Sequence, residues 1–180
     1  LEVSDQDAGS GQIRIRNFAA SVNPVDVSVR NGSMAEIQKI NPPPYVPGMD
    51  AAGVIDQIGD DVETDLKIGD SVMAMVVPNG IHGAYKEHIV LDKNAVVRAP
   101  KDTNHIQAST LPMNSLTARL SLDLLGLDKG QVLAVTGGPG AYGGFVIQLA
   151  KADGLTVIAD SKESDRGLLE SLGADIIIPR

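Results

Sequence analysis

The chain has 180 residues, 43% of them hydrophobic and 21% charged, with a formal net charge of −8 and no cysteine. That size carries one good core, or one domain and part of another. No apolar run approaches the roughly 18 residues that span a bilayer, thiolate-ligated zinc and disulfides are excluded, and the negative balance has the wrong sign for a nucleic-acid partner. The opening residues, Leu1-Glu2-Val3-Ser4-Asp5, are polar and acidic and do not read as a signal peptide. An acidic, cysteine-free chain fits a cytoplasmic enzyme.

From the N-terminus to about residue 104, short strand-like runs alternate with turn residues. Strands are predicted at 13–16, 52–55, 71–77, 84–91 and 95–97. Asn31-Gly32, Gly59-Asp60-Asp61, Gly69-Asp70 and Asn79-Gly80 mark turns between them. Short strands at this spacing predict a small barrel or sandwich. Beyond residue 105 the period changes. A short helix is predicted at 105–111, stopped before Pro112. A second helix is predicted from an N-cap at Ser115 to about Leu125, with Gly126 as its stop. A strand at 131–135, a helix ended by Gly154, a strand at 155–159, a helix at 163–172 and a strand at 176–178 complete the chain. This alternation implies right-handed crossovers and a parallel sheet. The expected division is a domain at 1–104 and a second at 105–180. The bare Ile176-Ile177-Ile178 strand would be an unpaired apolar edge, so further residues are expected beyond Arg180.

The turn between the first two strands of the second domain carries the chemistry. Gly138-x-Gly140-x-x-Gly143 follows an apolar strand and opens a helix. One glycine makes the tight turn, one admits the backbone to a pyrophosphate, and one lets helix and sheet pack closely. Exposed amides and the helix dipole attract the anion. Gly138, Pro139, Gly140, Ala141, Tyr142 and Gly143 are the predicted cofactor-binding loop. A plain glycine-rich turn and an adenosyl-binding site share the same pattern. Asp160, about 20 residues on, sits where an acid accepts the ribose 2′-hydroxyl of NAD. Ser161, Lys162 and Arg166 beside it suit the 2′-phosphate of NADP.

Further motifs stand in order along the chain: Asn23-Pro24-Val25-Asp26 with Arg30-Asn31-Gly32, Pro47-Gly48-Met49-Asp50-Ala51-Ala52-Gly53-Val54, Lys67-Ile68-Gly69-Asp70-Ser71-Val72, Gly83-Ala84-Tyr85-Lys86-Glu87, and Leu111-Pro112-Met113-Asn114-Ser115-Leu116-Thr117-Ala118. Together with the glycine turn they resemble the zinc-free medium-chain dehydrogenase/reductases of the quinone oxidoreductase type, over nearly the whole chain. The resemblance implies an α/β fold with a β-rich part, namely a GroES-like barrel followed by the first half of a doubly wound Rossmann sheet. It places the active site in the cleft between them. It also implies hydride transfer from NAD(P)H to a quinone or activated enone, NADP(H) favoured over NAD(H), and a homodimer at full length. It puts Asn23 by the nicotinamide or the substrate carbonyl, as a catalytic amide polarising an oxygen. Thr117 falls near the nicotinamide ribose, and Met113 walls the ring. Asp26 and Asp50 are read as structural rather than as proton donors.

The departures also carry information. Zinc-dependent relatives place Cys at Asn23 and His-Glu at Met49-Asp50. Neither Asn23 nor Met49 suits zinc, and His82, His88 and His105 lack ligand spacing, so no metal is expected. Ser28 stands where close quinone reductases often carry Tyr. Tyr142 replaces a small aliphatic residue in the turn. Two other functions share the pattern: a non-catalytic NADPH-binding protein and an enoyl-thioester reductase.

Overall fold

A computed structural model describes residues 2–180. They form two compact units, one running up to Met113 and the other covering Asn114–Arg180.

The first unit is built on a five-stranded antiparallel sheet in the order β4-β1-β2-β3-β5. Its strands are β1 (Gln12–Ala19), β2 (Asp50–Ile58), β3 (Ser71–Met75), β4 (His88–Asp92) and β5 (Val96–Arg98). Strict alternation in β1 sends Ile13 and Ile15 inward, where both are completely buried. They pack with Ile55, Val72, Ala74, Ile89, Leu91 and Val96. The strand predicted at 84–91 is shorter. Ala84 and Tyr85 donate instead to Gly48 O (2.9 Å) and Pro47 O (3.1 Å), which binds them to the segment before β2. The strand predicted at 71–77 likewise stops at Met75, and Val76 N turns to Met49 O at 2.7 Å.

Two helices, α1 (Pro24–Arg30) and α2 (Ala35–Gln38), have no counterpart among the predicted elements. A third, α3 (His105–Ala108), ends three residues before the predicted 105–111 helix. It belongs to this unit rather than to the next. The His105 ring stacks on Phe18 with centroids 5.0 Å apart, and its Nε2 lies 3.1 Å from Ser71 Oγ. The unit boundary therefore falls after Met113 and not at 104/105, because α3 is held by β1 and β3.

Helix α4 (Pro112–Leu125) begins at Pro112, three residues before the predicted start. A proline at the first helical position loses only an N–H that has no helical partner, and its φ already suits the helix. The second unit continues with β6 (Val132–Val135), α5 (Ala141–Ala152), β7 (Thr156–Ser161), a 3₁₀ turn (Glu163–Asp165), α6 (Arg166–Leu172) and β8 (Ile176–Pro179). The sheet is parallel in the order β6-β7-β8. Its core joins Leu133, Val135, Val157 and Ala159 to Val146, Ile147 and Ala150 of α5 and Leu169 of α6. The buried positions of α5 recur at helical spacing, which is why this apolar segment winds rather than extends. On β8, Ile176 and Ile178 are exposed. Among the described residues, no helix is long and apolar enough to cross a membrane.

Truncating a core side chain tests this assignment. Ile15→Ala should lower the unfolding free energy by about 2–5 kcal/mol, measured by denaturant titration. Val97→Ala, at a half-exposed site of β5, should stay within about 0.5 kcal/mol.

Candidate functional site

Two polar assemblies gather the predicted site residues, one in each unit. In the first unit the centre is Asp50, which opens β2 and is fully buried. Among the described residues its carboxylate has no cationic partner. It is held by dipolar donors instead: Asn23 Nδ2 at 2.8 Å, Met113 N at 2.6 Å, and the Ser21 hydroxyl. Met113 N belongs to the first turn of α4, so Asp50 also acts as a carboxylate cap on a helix N-terminus.

Asn23 is itself the N-cap of α1, with extended backbone. Its N–H donates to Asp26 Oδ2 at 2.8 Å, across the first turn. Its side-chain nitrogen donates to both Asp50 Oδ2 and Ser21 Oγ (3.1 Å). Both amide N–H groups are thus engaged within the protein, which leaves neither for the substrate oxygen expected of Asn23 from the sequence.

Asp26 is buried beside this knot. Its Oδ1 accepts from Gly48 N (2.9 Å) and its Oδ2 from Tyr85 Oη (3.1 Å). Gly48 has φ +102°, and a Cβ there would stand 2.6 Å from the Tyr85 ring. Only glycine allows this conformation and the close approach together. Burial first, then the neighbouring charge and hydrogen bond of Asp26, and then the charge of Asp50, push the Tyr85 hydroxyl up to about 12. Ser21 is a site residue outside every motif; Tyr85 stands within one, but its partner Asp26, 59 positions away, shows only in the fold.

In the second unit β6 runs into the glycine turn. The residue with positive φ (+73°) is Gly137, one before the predicted fingerprint. Gly140 N donates to Gly137 O at 3.0 Å, and a Cβ on Gly143 would lie 2.4 Å from the same oxygen. Gly138 packs beneath, where a Cβ would press on Leu169, Ala159 and Ile147 at 3.0–3.4 Å. The glycines that matter are therefore spaced by three, at 137, 140 and 143, a register visible in the sequence. The first helical bond of α5 runs from Gly144 N to Gly140 O (2.8 Å). The amides of Ala141, Tyr142 and Gly143 consequently lack helical acceptors. Pro139 lies within the turn, and the Tyr142 hydroxyl donates to Ser121 Oγ on α4 at 2.8 Å.

Asp160 lies near the end of β7, next to this turn. Its Oδ1 accepts from Gly137 N at 2.7 Å, and its Oδ2 lies 3.2 Å from Arg180 Nε. The Gly137 amide lowers the Asp160 carboxyl most; burial opposes it, and Arg180 lowers it further. Ser161 is buried and Lys162 exposed. Arg166 is spread over Glu163 (3.5 Å), Glu170 (3.8 Å) and the Ile177 carbonyl (3.5 Å). Thr117 lies on the exposed side of α4, where its carbonyl accepts from Ser121 Oγ at 2.8 Å. The structure brings Gly137, Gly140, Gly143 and Asp160 together; it turns Arg166 toward the 3₁₀ turn, its own helix and β8.

Two measurements check these geometries. Asp50→Ala strands buried donors and should cost about 2 kcal/mol or more of stability, while Asp50→Asn, which keeps an acceptor oxygen, should cost less. Equal losses would show that the acceptor is not what matters. Tyr85 supplies the second. Its folded-state value lies above the ordinary 10.0, so the stability it contributes is complete below that pH and is lost as pH rises through about 12. A phenolate absorbance titration should show one late component among the three tyrosines, and Tyr85→Phe should remove it.

Residues 9–101 match the model of the alcohol dehydrogenase GroES-like domain. The chain is 34% identical, over 98% of its length, to 2-methylene-furan-3-one reductase of Solanum lycopersicum, of which it covers 46%. It is 34% identical, over 93% of its length, to the chloroplastic NADPH-dependent alkenal/one oxidoreductase of Arabidopsis thaliana, of which it covers 44%. The solved quinone oxidoreductase of Coxiella burnetii superposes with a TM-score of 0.85 at 31% identity, over 99% of this chain and 56% of that one. The chain spans about half the length of the curated relatives it matches. With the five-stranded unit and the glycine turn already in place, these matches fix the family: the chain belongs to the medium-chain dehydrogenase/reductases of the quinone oxidoreductase type, and its first unit is an alcohol dehydrogenase GroES-like domain.

Proposed function

We propose that the full-length protein is an NADPH-dependent, zinc-independent reductase that transfers a hydride to a quinone or an activated enone. The observation that carries this reading is the cradle at 137–143. A Cβ at Gly143 would fall 2.4 Å from Gly137 O, so the turn admits no side chain there, and the first amides of the twelve-residue α5 have no helical acceptor. That shape and polarity fit the pyrophosphate of a dinucleotide. The names of the tomato, Arabidopsis and Coxiella relatives support the substrate class, and the Arabidopsis name supports NADPH.

When bound, the reduced nicotinamide supplies the hydride. The chain's own residues bind and position. Gly138, Pro139, Gly140, Ala141, Tyr142 and Gly143 would hold the pyrophosphate. By the family resemblance Thr117 would lie toward the nicotinamide ribose and Met113 toward the ring. Asn23 acts as a positioning residue: through Asp50 it fixes the start of α1 and the Met113 amide. Neither Asp26 nor Asp50 is aimed as an acid, since donors already occupy their oxygens, and the product takes its proton from water. The donor set supports zinc independence: Asn23 and Met49 stand where zinc-dependent relatives place soft or imidazole ligands. Among the described residues no group of three His, Cys, Asp or Glu is disposed around one point. The net charge of −8 supports small molecules rather than nucleic acid as partners. By family resemblance we read the full-length protein as a homodimer, and the acidic, cysteine-free composition supports a cytoplasmic location.

The full-length protein should oxidise NADPH in the presence of quinones or enones; no oxidation above blank across a panel of both would overturn the proposal. Gly143→Ala must push Gly137 aside and should weaken NADPH binding by about tenfold or more, read by cofactor fluorescence.

A further inference from the structure

The glycine turn carries one aromatic side chain, Tyr142, set between Ala141 and Gly143. The turn needs only its backbone N–H, which any residue but proline supplies. The side chain does something else. It is 41% exposed, and its hydroxyl donates to Ser121 Oγ on α4 at 2.8 Å. Ser121 Oγ donates in turn to Thr117 O at 2.8 Å, one helical turn back. A serine hydroxyl has a single proton. Here it is committed to Thr117, so Ser121 meets Tyr142 as an acceptor. The hydrogen bonds therefore run in one direction, from the glycine turn to the Thr117 carbonyl.

Helix α4 has other attachments within the second unit. Ala118 and Leu122 are buried in the core they share with Val146 and Ile147 of α5. Arg119 Nη1 donates to Asp153 Oδ2 at 2.7 Å, and Asp153 is the C-cap of α5. Packing and Arg119 thus hold α4 to the body of the unit, and Tyr142 holds it to the turn. Removing the Tyr142 hydroxyl leaves the first two in place. The amides at 141–143 are backbone and bind an anion whatever the side chain at 142. What the phenol adds is the position of α4 relative to those amides. A dinucleotide gripped at its pyrophosphate alone keeps its far end free to swing. Transfer needs the reacting atoms held about 3–3.5 Å apart, and a misplacement of about 1 Å costs on the order of a hundredfold in rate.

We propose that Tyr142 is a positioning residue that clamps the Thr117 turn of α4 to the glycine cradle and so sets the span over which the cofactor is held. This rests on the reading of the turn as a dinucleotide site with Thr117 toward the nicotinamide ribose. The test uses the full-length protein and three measurements: hydrogen exchange of α4 without cofactor, NADPH affinity by fluorescence titration, and the single-turnover rate of NADPH oxidation by a quinone or enone. Tyr142→Phe keeps the ring. It should speed exchange over residues 117–125 by about threefold or more, leave NADPH affinity within about threefold, and slow the single turnover by about tenfold or more. Ser121→Ala should behave alike, and the double variant should be no worse than either alone. Ser121→Thr, which keeps a hydroxyl, should restore the rate lost in Ser121→Ala. An unchanged rate in Tyr142→Phe, additive losses in the double variant, or an affinity that falls as far as the rate would overturn the inference and leave the dinucleotide site standing. A wild type that binds no NADPH, or binds it and passes its hydride to no acceptor, would overturn the proposed function and the inference with it.

Discussion

The GroES-like unit depends on a buried carboxylate held by dipolar donors. An uncompensated charge in a protein interior is costly, and the cost is met only if donors surround it in good geometry. Asp50 collects three: a hydroxyl from Ser21, an amide from Asn23 and a backbone N–H from Met113. These lie before α1 and at the first turn of α4, so one carboxylate at the start of β2 ties together segments remote in the sequence. Asp26 repeats the device next to it. It accepts from the cap of its own helix, from Gly48 and from Tyr85. The motif residues Asn23, Asp26, Gly48, Asp50 and Tyr85 are thus one structure, and their spacing in the chain reflects where donors and acceptors must meet.

The Rossmann half obeys a different constraint, that of backbone against backbone. Gly137 takes the left-handed turn out of β6, Gly143 admits the Gly137 carbonyl at a distance no Cβ would tolerate, and Gly138 seats the turn on Ala159 and Leu169. The helix that follows starts with unsatisfied amides. Asp160 then fixes the first glycine of the turn through its N–H. That bond couples the glycine turn to the end of β7, the strand end that faces the adenosine ribose in dinucleotide sites.

Much of this was legible in the sequence, for identifiable reasons. Alternation placed Ile13 and Ile15 in the core. The helical recurrence of Val146, Ile147 and Ala150 and the apolar run of β7 gave the parallel half-sheet. Helix α1 was not legible. Pro24-Val25-Asp26-Val27-Ser28-Val29 alternates like a strand, yet it winds into a helix because Asn23 caps it, Pro24 suits its first position and Asp26 closes the first turn. Local capping chemistry there overrides the period. Pro112 was read as a stop and is a start, for the same reason of position within a helix. The partners of Asn23 were not legible, because they are tertiary: its amide donates to Ser21 and to Asp50, 27 positions away.

The measurement that bears most directly on these conclusions is a crystal structure of the full-length protein with NADPH bound. Pyrophosphate density over the amides of residues 141–143, with the adenosine ribose beside Asp160, is the expected result. Cofactor density away from that turn, or a turn closed over by side chains with the cofactor excluded, would contradict the assignment of 137–143 as the dinucleotide cradle.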